Sequence, residues 1–421
     1  MTALVVGAAR SGVAIANHLT LKGEHVIVAD LKAETDLADA IAQLPGDTEL
    51  RLGGYDDTVL SGVDVVYASP GVRWDAELLQ HARARGIPVS SEIDLFLRLC
   101  KGTVVGITGT NGKTTTTALT GEVLSAGEKP VIVGGNIGDT VLDRVDEISE
   151  QHWVVLELSS FQLESVERPH FHVGVILNVT PDHLDRHGTF ERYAALKARA
   201  IEFAETDDFA VLNGRDHLVR ELAGRTRAQV VWFDQHKPVP PMPIPGRHNV
   251  ENALAAAAVG RIAGLSDEAI NGAIAGFKGV EHRLELIGEW GGVRWDNDSK
   301  ATNPDAGRVA LSSFPSTPLV LIAGGYGSGF ELGDWVKDVL ANTEAVVLIG
   351  ASADLLAKEL AAHPKVRRAL TLEDAVDVAA SLARPGGVVL LSPAYKSFDM
   401  FKDYEDRGRR FKALVRQRFA A

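Results

Sequence analysis

The stretch Val104-Val105-Gly106-Ile107-Thr108-Gly109-Thr110-Asn111-Gly112-Lys113-Thr114-Thr115-Thr116-Thr117 decides the fold. An apolar run leads into glycines at 106, 109 and 112, then Lys113 and Thr114, and a helix former's pattern continues through Leu124. This reads as a strand, a glycine-rich turn and a helix start. Glycines let backbone N–H groups curl around phosphate oxygens, and a helix N-terminus adds partial positive charge. Lys113 would reach the terminal phosphates of a nucleotide, and Thr114 would offer its hydroxyl to Mg²⁺. The loop is shorter than the standard pattern, which wants glycine where Ile107 stands; here the glycine is Gly109. The competing reading is a plain turn with a surface lysine, and the order strand, Gly-Lys-Thr, helix argues against it.

The 421 residues around this stretch are enough for two or three domains. Hydrophobic content of 45% and charged content of 24% are those of an ordinary globular protein. A net charge of −13 argues against nucleic acid or an anionic membrane surface as partner, while leaving nucleotides to local loops. Cys100 is the only cysteine, so no internal disulfide can form and a reducing cytoplasm fits. The first residues lack a basic leader and read as a strand rather than a signal peptide. No apolar run is long enough to cross a bilayer.

Upstream, Ala3–Val6 is a buried-strand signal followed by Gly7-Ala8-Ala9-Arg10-Ser11-Gly12 and an amphipathic stretch to Leu21. A second strand, Val26–Ala29, ends at Asp30. This is close to the dinucleotide fingerprint, with an acid about 20 residues on. Ala9 replaces the glycine that admits a pyrophosphate, which leaves a nicotinamide site, a modified nucleotide site and a structural turn all open. Val63–Ala68 runs into Ser69-Pro70-Gly71, a turn at the carboxyl end of a strand, where α/β folds place ligands.

Downstream, Val131–Val133 enters Gly134-Gly135-Asn136-Ile137-Gly138, and Trp153–Leu156 ends at Glu157. An acid there is a natural Mg²⁺ ligand or an ordinary strand-end carboxylate. Val173–Asn178 leads into Val179-Thr180-Pro181-Asp182-His183-Leu184-Asp185-Arg186-His187-Gly188, whose acids and histidines could ligate a metal without matching a zinc spacing. Lys197, in a helical stretch, reads by itself as a solvated surface lysine. His248, Asn249 and Asn252 sit at the start of an alanine-rich helix that stops at Gly264, a place for a base, a phosphate or plain capping. Beyond Gly279, strands alternate with helices again, and Leu319–Ala323, Ala345–Ile349 and Val388–Leu391 end in Gly324-Gly325, Gly350 and Ser392-Pro393.

Taken together these residues resemble a family, the Mur ligases, over essentially the whole chain. The resemblance rests on Gly109–Thr114, Gly134–Gly138, Glu157-Leu158-Ser159-Ser160-Phe161-Gln162-Leu163, Asn178–Asp185, Asn297-Asp298-Ser299-Lys300-Ala301-Thr302-Asn303 and Ser392-Pro393-Ala394. The ordered set looks like the branch of the family that adds D-glutamate. It implies three α/β domains: a Rossmann-like N-terminal domain for a uridine diphosphate precursor (1–91), a central P-loop domain for ATP (92–279) and a C-terminal Rossmann-like domain (280–421) that closes on ATP and takes the amino acid. The implied substrates are UDP-N-acetylmuramoyl-L-alanine, D-glutamate and ATP, joined through an acyl phosphate in cytoplasmic peptidoglycan synthesis by a monomer.

The resemblance also implies roles. Gly109, Thr110, Asn111, Gly112, Lys113, Thr114 and Thr115 would hold the phosphates of ATP, Asn249 and Asn252 would meet adenine, and Arg283 and Asp298 would close onto the nucleotide. Thr114 and Glu157 would ligate one Mg²⁺, and His183 and Lys197 would serve a second, with Lys197 carried as its CO₂ adduct, a carbamate. Arg10, Ser11, Asp30, Lys32, Gly71, Asn136 and His183 would face the precursor, and Thr302, Lys396, Ser397 and Tyr404 the amino acid. The chain departs from the family at Ser328, where a cation is expected after the paired glycines, and at Lys396, where a small residue is common. We expect Lys396 to replace the missing cation. The rival readings are a folylpolyglutamate-synthetase-like ligase, a nicotinamide-dependent oxidoreductase built on Gly7–Asp30, and a non-enzymatic nucleotide switch.

Overall fold

The computed structural model describes residues 1–137, 140–235, 237–244, 246–327 and 330–419, with the side chains of Asp185 and Arg247 outside the description. Its strands form three sheets, one in each of three α/β domains. The first holds β1 (Thr2–Val6), β2 (His25–Asp30), β3 (Glu49–Leu52), β4 (Val65–Ala68) and β5 (Val89–Ser90) in the order β3-β2-β1-β4-β5, all parallel. The second holds β6 (Thr103–Thr108), β7 (Val131–Gly135), β8 (Trp153–Glu157), β9 (Val173–Ile176), β10 (Phe209–Leu212) and β11 (Gln229–Trp232) in the order β11-β10-β9-β6-β8-β7, again all parallel. The third holds β12 (Glu285–Trp290), β13 (Val293–Asn297), β14 (Leu319–Ala323), β15 (Ala345–Leu348), β16 (Val366–Arg368) and β17 (Val388–Leu391) in the order β12-β13-β17-β14-β15-β16, with only β12 antiparallel to its neighbour.

Central strands such as β4, β9, β14 and β17 are buried along their whole length. That is why they read as continuous apolar runs rather than alternations: a parallel sheet is covered on both faces. Two strand ends fall short of the sequence expectation, since β4 begins at Val65 and β9 stops at Ile176. The alanine-rich helix starts earlier, at Arg247, so His248 and Asn249 lie inside its first turn.

By contacts the chain forms two compact units, Met1–Val239 with Glu251–Ala273, and Pro240–Val250 with Ile274–Ala421. The first two sheets share one unit because a single buried cluster runs from Ala3 and Val28 through Phe96 to Val154, Leu163 and Tyr193. The helix Glu92–Leu99 contributes Ile93, Leu95 and Phe96 to that cluster. Ser91 caps it by accepting from Asp94 N at 3.2 Å, Ser165 Oγ donates to Ser91 Oγ at 2.8 Å, and Glu167 N donates to Asp94 Oδ1 at 3.3 Å. Phe96 is fully buried there, so Phe96→Ala would cost about 3–5 kcal/mol.

Each sheet brings its polar loops to the carboxyl ends of adjacent strands whose connections leave in opposite directions, the place where open α/β sheets hold ligands. In the first sheet these strands are β1 and β4, with the turns after Val6 and Ala68. In the second, β6 lies between β8 and β9, so Glu157 and Asn178 flank the glycine loop. In the third they are β14 and β17.

Candidate active site

The glycine loop is held from one side. Thr110 N donates to Asn178 O at 2.9 Å and Asn111 N to Asn178 Oδ1 at 2.8 Å, while Asn178 Nδ2 returns a bond to Asn111 O at 3.1 Å. Thr110 Oγ1 accepts from Thr180 N at 3.0 Å. Gly112, with φ +86°, turns the chain into the helix Lys113–Ser125, and a Cβ there would run into Asn252 Oδ1. Thr114 and Thr115 are buried in the first turn, as is Asn252 in its own helix.

Lys113 curls back over the loop, donating to Gly109 O at 3.0 Å and Thr110 O at 2.8 Å. Lys197 meets the same carbonyl: its Nζ donates to Gly109 O at 2.7 Å and lies 4.5 Å from the centre of the Tyr193 ring. Lys197 is only 1% exposed, which corrects the reading of a solvated lysine. The helix Phe190–Glu202 buries Tyr193, Ala194, Lys197, Ala198, Ala200 and Ile201 on one stripe, and the spacing of those apolar neighbours was the signal that Lys197 points inward. Burial, reinforced by the charge of Lys113, holds its ammonium well below the ordinary lysine value.

Glu157 ends β8, paired opposite Ile107 of β6, and is 3% exposed. Asn136 Nδ2 approaches its Oε1 at 3.4 Å, whereas Oε2 is buried with no hydrogen-bond partner among the described residues. A buried carboxylate oxygen left without a donor fits a hard cation better than it fits a merely structural role. His183 is half-exposed, in the left-handed region at φ 51°, with Asp182 at 3.6 Å and the Phe161 ring at 5.1 Å. Among the described residues it makes no hydrogen bond, ion pair or ring contact with Glu157 or Lys197. Tyr193 lies tilted against His187 at 5.6 Å and shares a hydrogen bond with Thr110 Oγ1 at 3.1 Å. Gly138 and the Asp185 side chain, both in the expected motifs, lie outside the described residues.

In the first domain Asp30 orders the turns after β1 and β2. Its Oδ2 accepts from Ala8 N at 2.8 Å and its Oδ1 from Lys32 N at 2.9 Å. Ser69 Oγ donates to Gly7 O at 2.7 Å, and a Cβ on Gly12 would run into that same carbonyl, so the helix Arg10–Leu21 docks tightly on the turn. Arg10, Lys32 and Gly71 are exposed around this helix N-terminus, with Ser11 half-buried. Asn136 is exposed at the end of β7.

In the third domain Asp298 is buried, accepting from Ser392 Oγ at 2.9 Å and Leu284 N at 3.3 Å. Burial pushes its carboxyl up to about 7 against the pull of Ser392 and Arg283. Asn249, in the first turn of the helix Arg247–Ile262 of the central domain, is also buried. Arg407, which sequence reasoning missed, is fully buried and clamps two strand-end loops: its guanidinium donates to Ser299 Oγ and Ser299 O at 2.9 Å each and to Tyr395 O at 3.1 Å. A lysine- and arginine-rich helix gave no sign that one arginine turns inward. Ser299 Oγ in turn donates to Tyr404 O at 2.7 Å. Ser397 is buried, Thr302 half-buried and Lys396 exposed, the last held by a bridge in which Tyr326 N donates to Lys396 O at 2.8 Å. Ser328, with Gly329, lies outside the described residues.

This fold and these sites define a three-domain α/β protein with a lysine-bearing glycine loop and a buried acid beside it. Residues 1–91 match the family described as Mur ligase MurD-like, N-terminal domain; 107–240 match the Mur ligase middle domain; and 282–395 match the Mur ligase, glutamate ligase domain. A UDP-N-acetylmuramoylalanine–D-glutamate ligase from Solibacter usitatus is 43% identical, covering 98% of this chain and 97% of its own. One of the same name from Geobacter metallireducens is 42% identical over 98% of this chain and 96% of its own. The chain belongs to the Mur ligase family. In fold it is similar to a UDP-N-acetylmuramate–alanine ligase from Thermotoga maritima (TM-score 0.61, 21% identity, 99% of this chain and 100% of that one). It is likewise similar to a MurF ligase of the same organism in complex with ADP (TM-score 0.60, 18% identity, 94% and 96% covered). No helix among the described residues is long and apolar enough to cross a membrane.

Proposed function

We propose that this chain is an ATP-dependent ligase that joins D-glutamate to UDP-N-acetylmuramoyl-L-alanine in the cytoplasm, acting as a monomer. The observation that carries the reading is similarity along 98% of the chain to relatives named for that reaction. Residues 1–91 would hold the uridine diphosphate through Arg10, Ser11, Lys32 and Gly71 around the cradle that Asp30 orders. Residues 92–279 would hold ATP, and 280–421 the amino acid, with Arg283 and Asp298 directed to the nucleotide. A nicotinamide reading leaves the glycine loop without a purpose, and a folate ligase leaves the first domain without one.

The chemistry follows from charge. The precursor carboxylate attacks the γ-phosphorus, ADP departs with the electron pair of the broken bond, and the amine of D-glutamate then attacks the acyl carbonyl, losing a proton as phosphate leaves. A carboxylate 4 Å from a phosphate charge is repelled by about 4 kcal/mol at an effective dielectric near 20. Lys113 offsets this by trading its bonds to Gly109 O and Thr110 O for phosphate oxygens, on a loop already braced by Asn178. Thr114 and the partnerless Oε2 of Glu157 would hold Mg²⁺, with His183 and Lys197 at a second site; bound there, Mg²⁺ would neutralise phosphate charge. A neutral Lys197 amine is the form that can add to CO₂. The new N–C bond forms as a C=O pair moves to oxygen and the nitrogen loses a proton, which turns a repelling cation into a hard anionic ligand.

The test is ADP release from the purified chain. It should require the precursor and D-glutamate together, and a panel of other amino acids should be inert. Release that ignores either substrate, or that selects a different amino acid, would overturn the reading.

A further inference from the structure

Arg186 lies one turn from His183 and touches both ligand-bearing domains of the first unit. Its Nη2 donates to Val72 O at 3.0 Å, one residue beyond Gly71. Its guanidinium carbon stands 4.9 Å from the centre of the Phe161 ring. The same ring packs against His183 at 5.1 Å and His187 at 5.2 Å. His187 is buried and shares a hydrogen bond with Ser160 Oγ at 3.0 Å. The four-residue helix Leu184–His187 is therefore pinned at both of its last residues, and His183, its N-cap, is held in a left-handed conformation that non-glycine residues seldom adopt.

The Val72 end of this contact is equally fixed. Val72 N donates to Ser69 O at 2.9 Å, and Ser69 Oγ donates to Gly7 O at 2.7 Å. An unbroken set of contacts thus runs from the Gly7 turn through Ser69, Val72 and Arg186 to Phe161 and His183. The bond to Val72 is made to a backbone carbonyl, so it reports the position of the loop rather than the charge of any side chain.

We propose that Arg186 is a positioning residue that sets His183 according to the position of the Ser69–Val72 turn, so that the precursor, bound against that turn, orients His183. The inference rests on the proposed precursor reading. Arg186→Lys keeps the charge but loses the planar fork whose Nη2 reaches Val72 O while its carbon stands over the Phe161 ring. A misplacement of about 1 Å at a reacting group can cost on the order of 100-fold, so Arg186→Lys and Arg186→Ala should lower kcat ~10- to 100-fold. The KM for ATP should move little.

The deciding measurement uses full-length protein with labelled histidines and no nucleotide or metal. The His183 Cε1–Hε1 resonance, assigned with His183→Gln, should shift when UDP-N-acetylmuramoyl-L-alanine is added. In Arg186→Ala and Arg186→Lys that shift should vanish, while the precursor Kd stays within about threefold. An equal shift in wild type and both variants overturns the inference alone. A wild-type chain that does not bind the precursor overturns it together with the reading beneath it.

Discussion

Lys113 and Lys197 donate to one acceptor, the carbonyl oxygen of Gly109, at 3.0 and 2.7 Å. Two ammonium groups on one oxygen repel, and Lys197, the more deeply buried, is the one whose charge is unfavourable. The pair therefore weights the charge toward Lys113, and of the two Lys197 is the one more readily held as an amine.

For Lys113 the expected result is simple. Lys113→Ala should lower kcat at least ~10²-fold, as loss of one preorganised electrostatic group does. Calorimetric binding of the precursor should be unchanged, since Lys113 lies outside residues 1–91, which are proposed to hold it. Near-normal turnover in this variant would mean that the short loop does not work as described.

For Lys197 the sign can be worked out. Its folded pKa is lowered, so between that value and the ordinary lysine range the unfolded chain binds the extra proton, and stability rises with pH across this window. Lys197→Met should therefore raise the Tm at neutral pH, by an increment that shrinks as the pH climbs toward the ordinary lysine range. The same variant should lose turnover, whereas wild-type activity should fall in CO₂-free buffer and return with bicarbonate. Full activity in Lys197→Met would dispose of the carbamate.

Asp298 behaves in the opposite sense. Burial raises its carboxyl to about 7, so the folded chain holds a proton that the unfolded chain releases, and this stability is lost as pH rises from the ordinary carboxylate range to about 7. Asp298→Asn should narrow the difference between the Tm at pH 5 and at pH 8. Thermal unfolding across that range checks it; an unchanged profile would place the ionisation elsewhere.

Much of this was legible along the chain. The strand, glycine turn and helix around Lys113, the acid at the end of β8 and the glycines after β14 are local patterns, each fixed by backbone conformation or strand burial. What was not legible is what depends on the packing of distant segments. The Asn178 side chain that braces Asn111, the Tyr193 hydroxyl on Thr110, and Arg407 turned inward onto Ser299 join residues far apart in sequence. Lys197 falls between the two. Its residue type pointed to solvent while the apolar stripe of its helix pointed to the core, and the stripe prevailed because the Gly109 carbonyl and the Tyr193 face are there to receive it.

Lys396 carries the last expectation. It lies at the carboxyl ends of β14 and β17, where the strand order of the third sheet reverses, and its backbone is fixed on both sides: its N donates to Tyr326 O at 3.1 Å and its O accepts from Tyr326 N at 2.8 Å. The side chain is exposed, and its ammonium has no partner among the described residues. A cation on a rigid backbone at such a crevice is preorganised for an anion, and D-glutamate brings two carboxylates. A hydrogen bond to a charged group is worth roughly 1.5–3 kcal/mol. Lys396→Ala should then raise the KM for D-glutamate about 10- to 150-fold, with the KM for ATP and precursor little changed. Ser328→Lys in that background should recover much of the loss. An unchanged KM for D-glutamate in Lys396→Ala would remove Lys396 from the site and reopen the question of which amino acid is added.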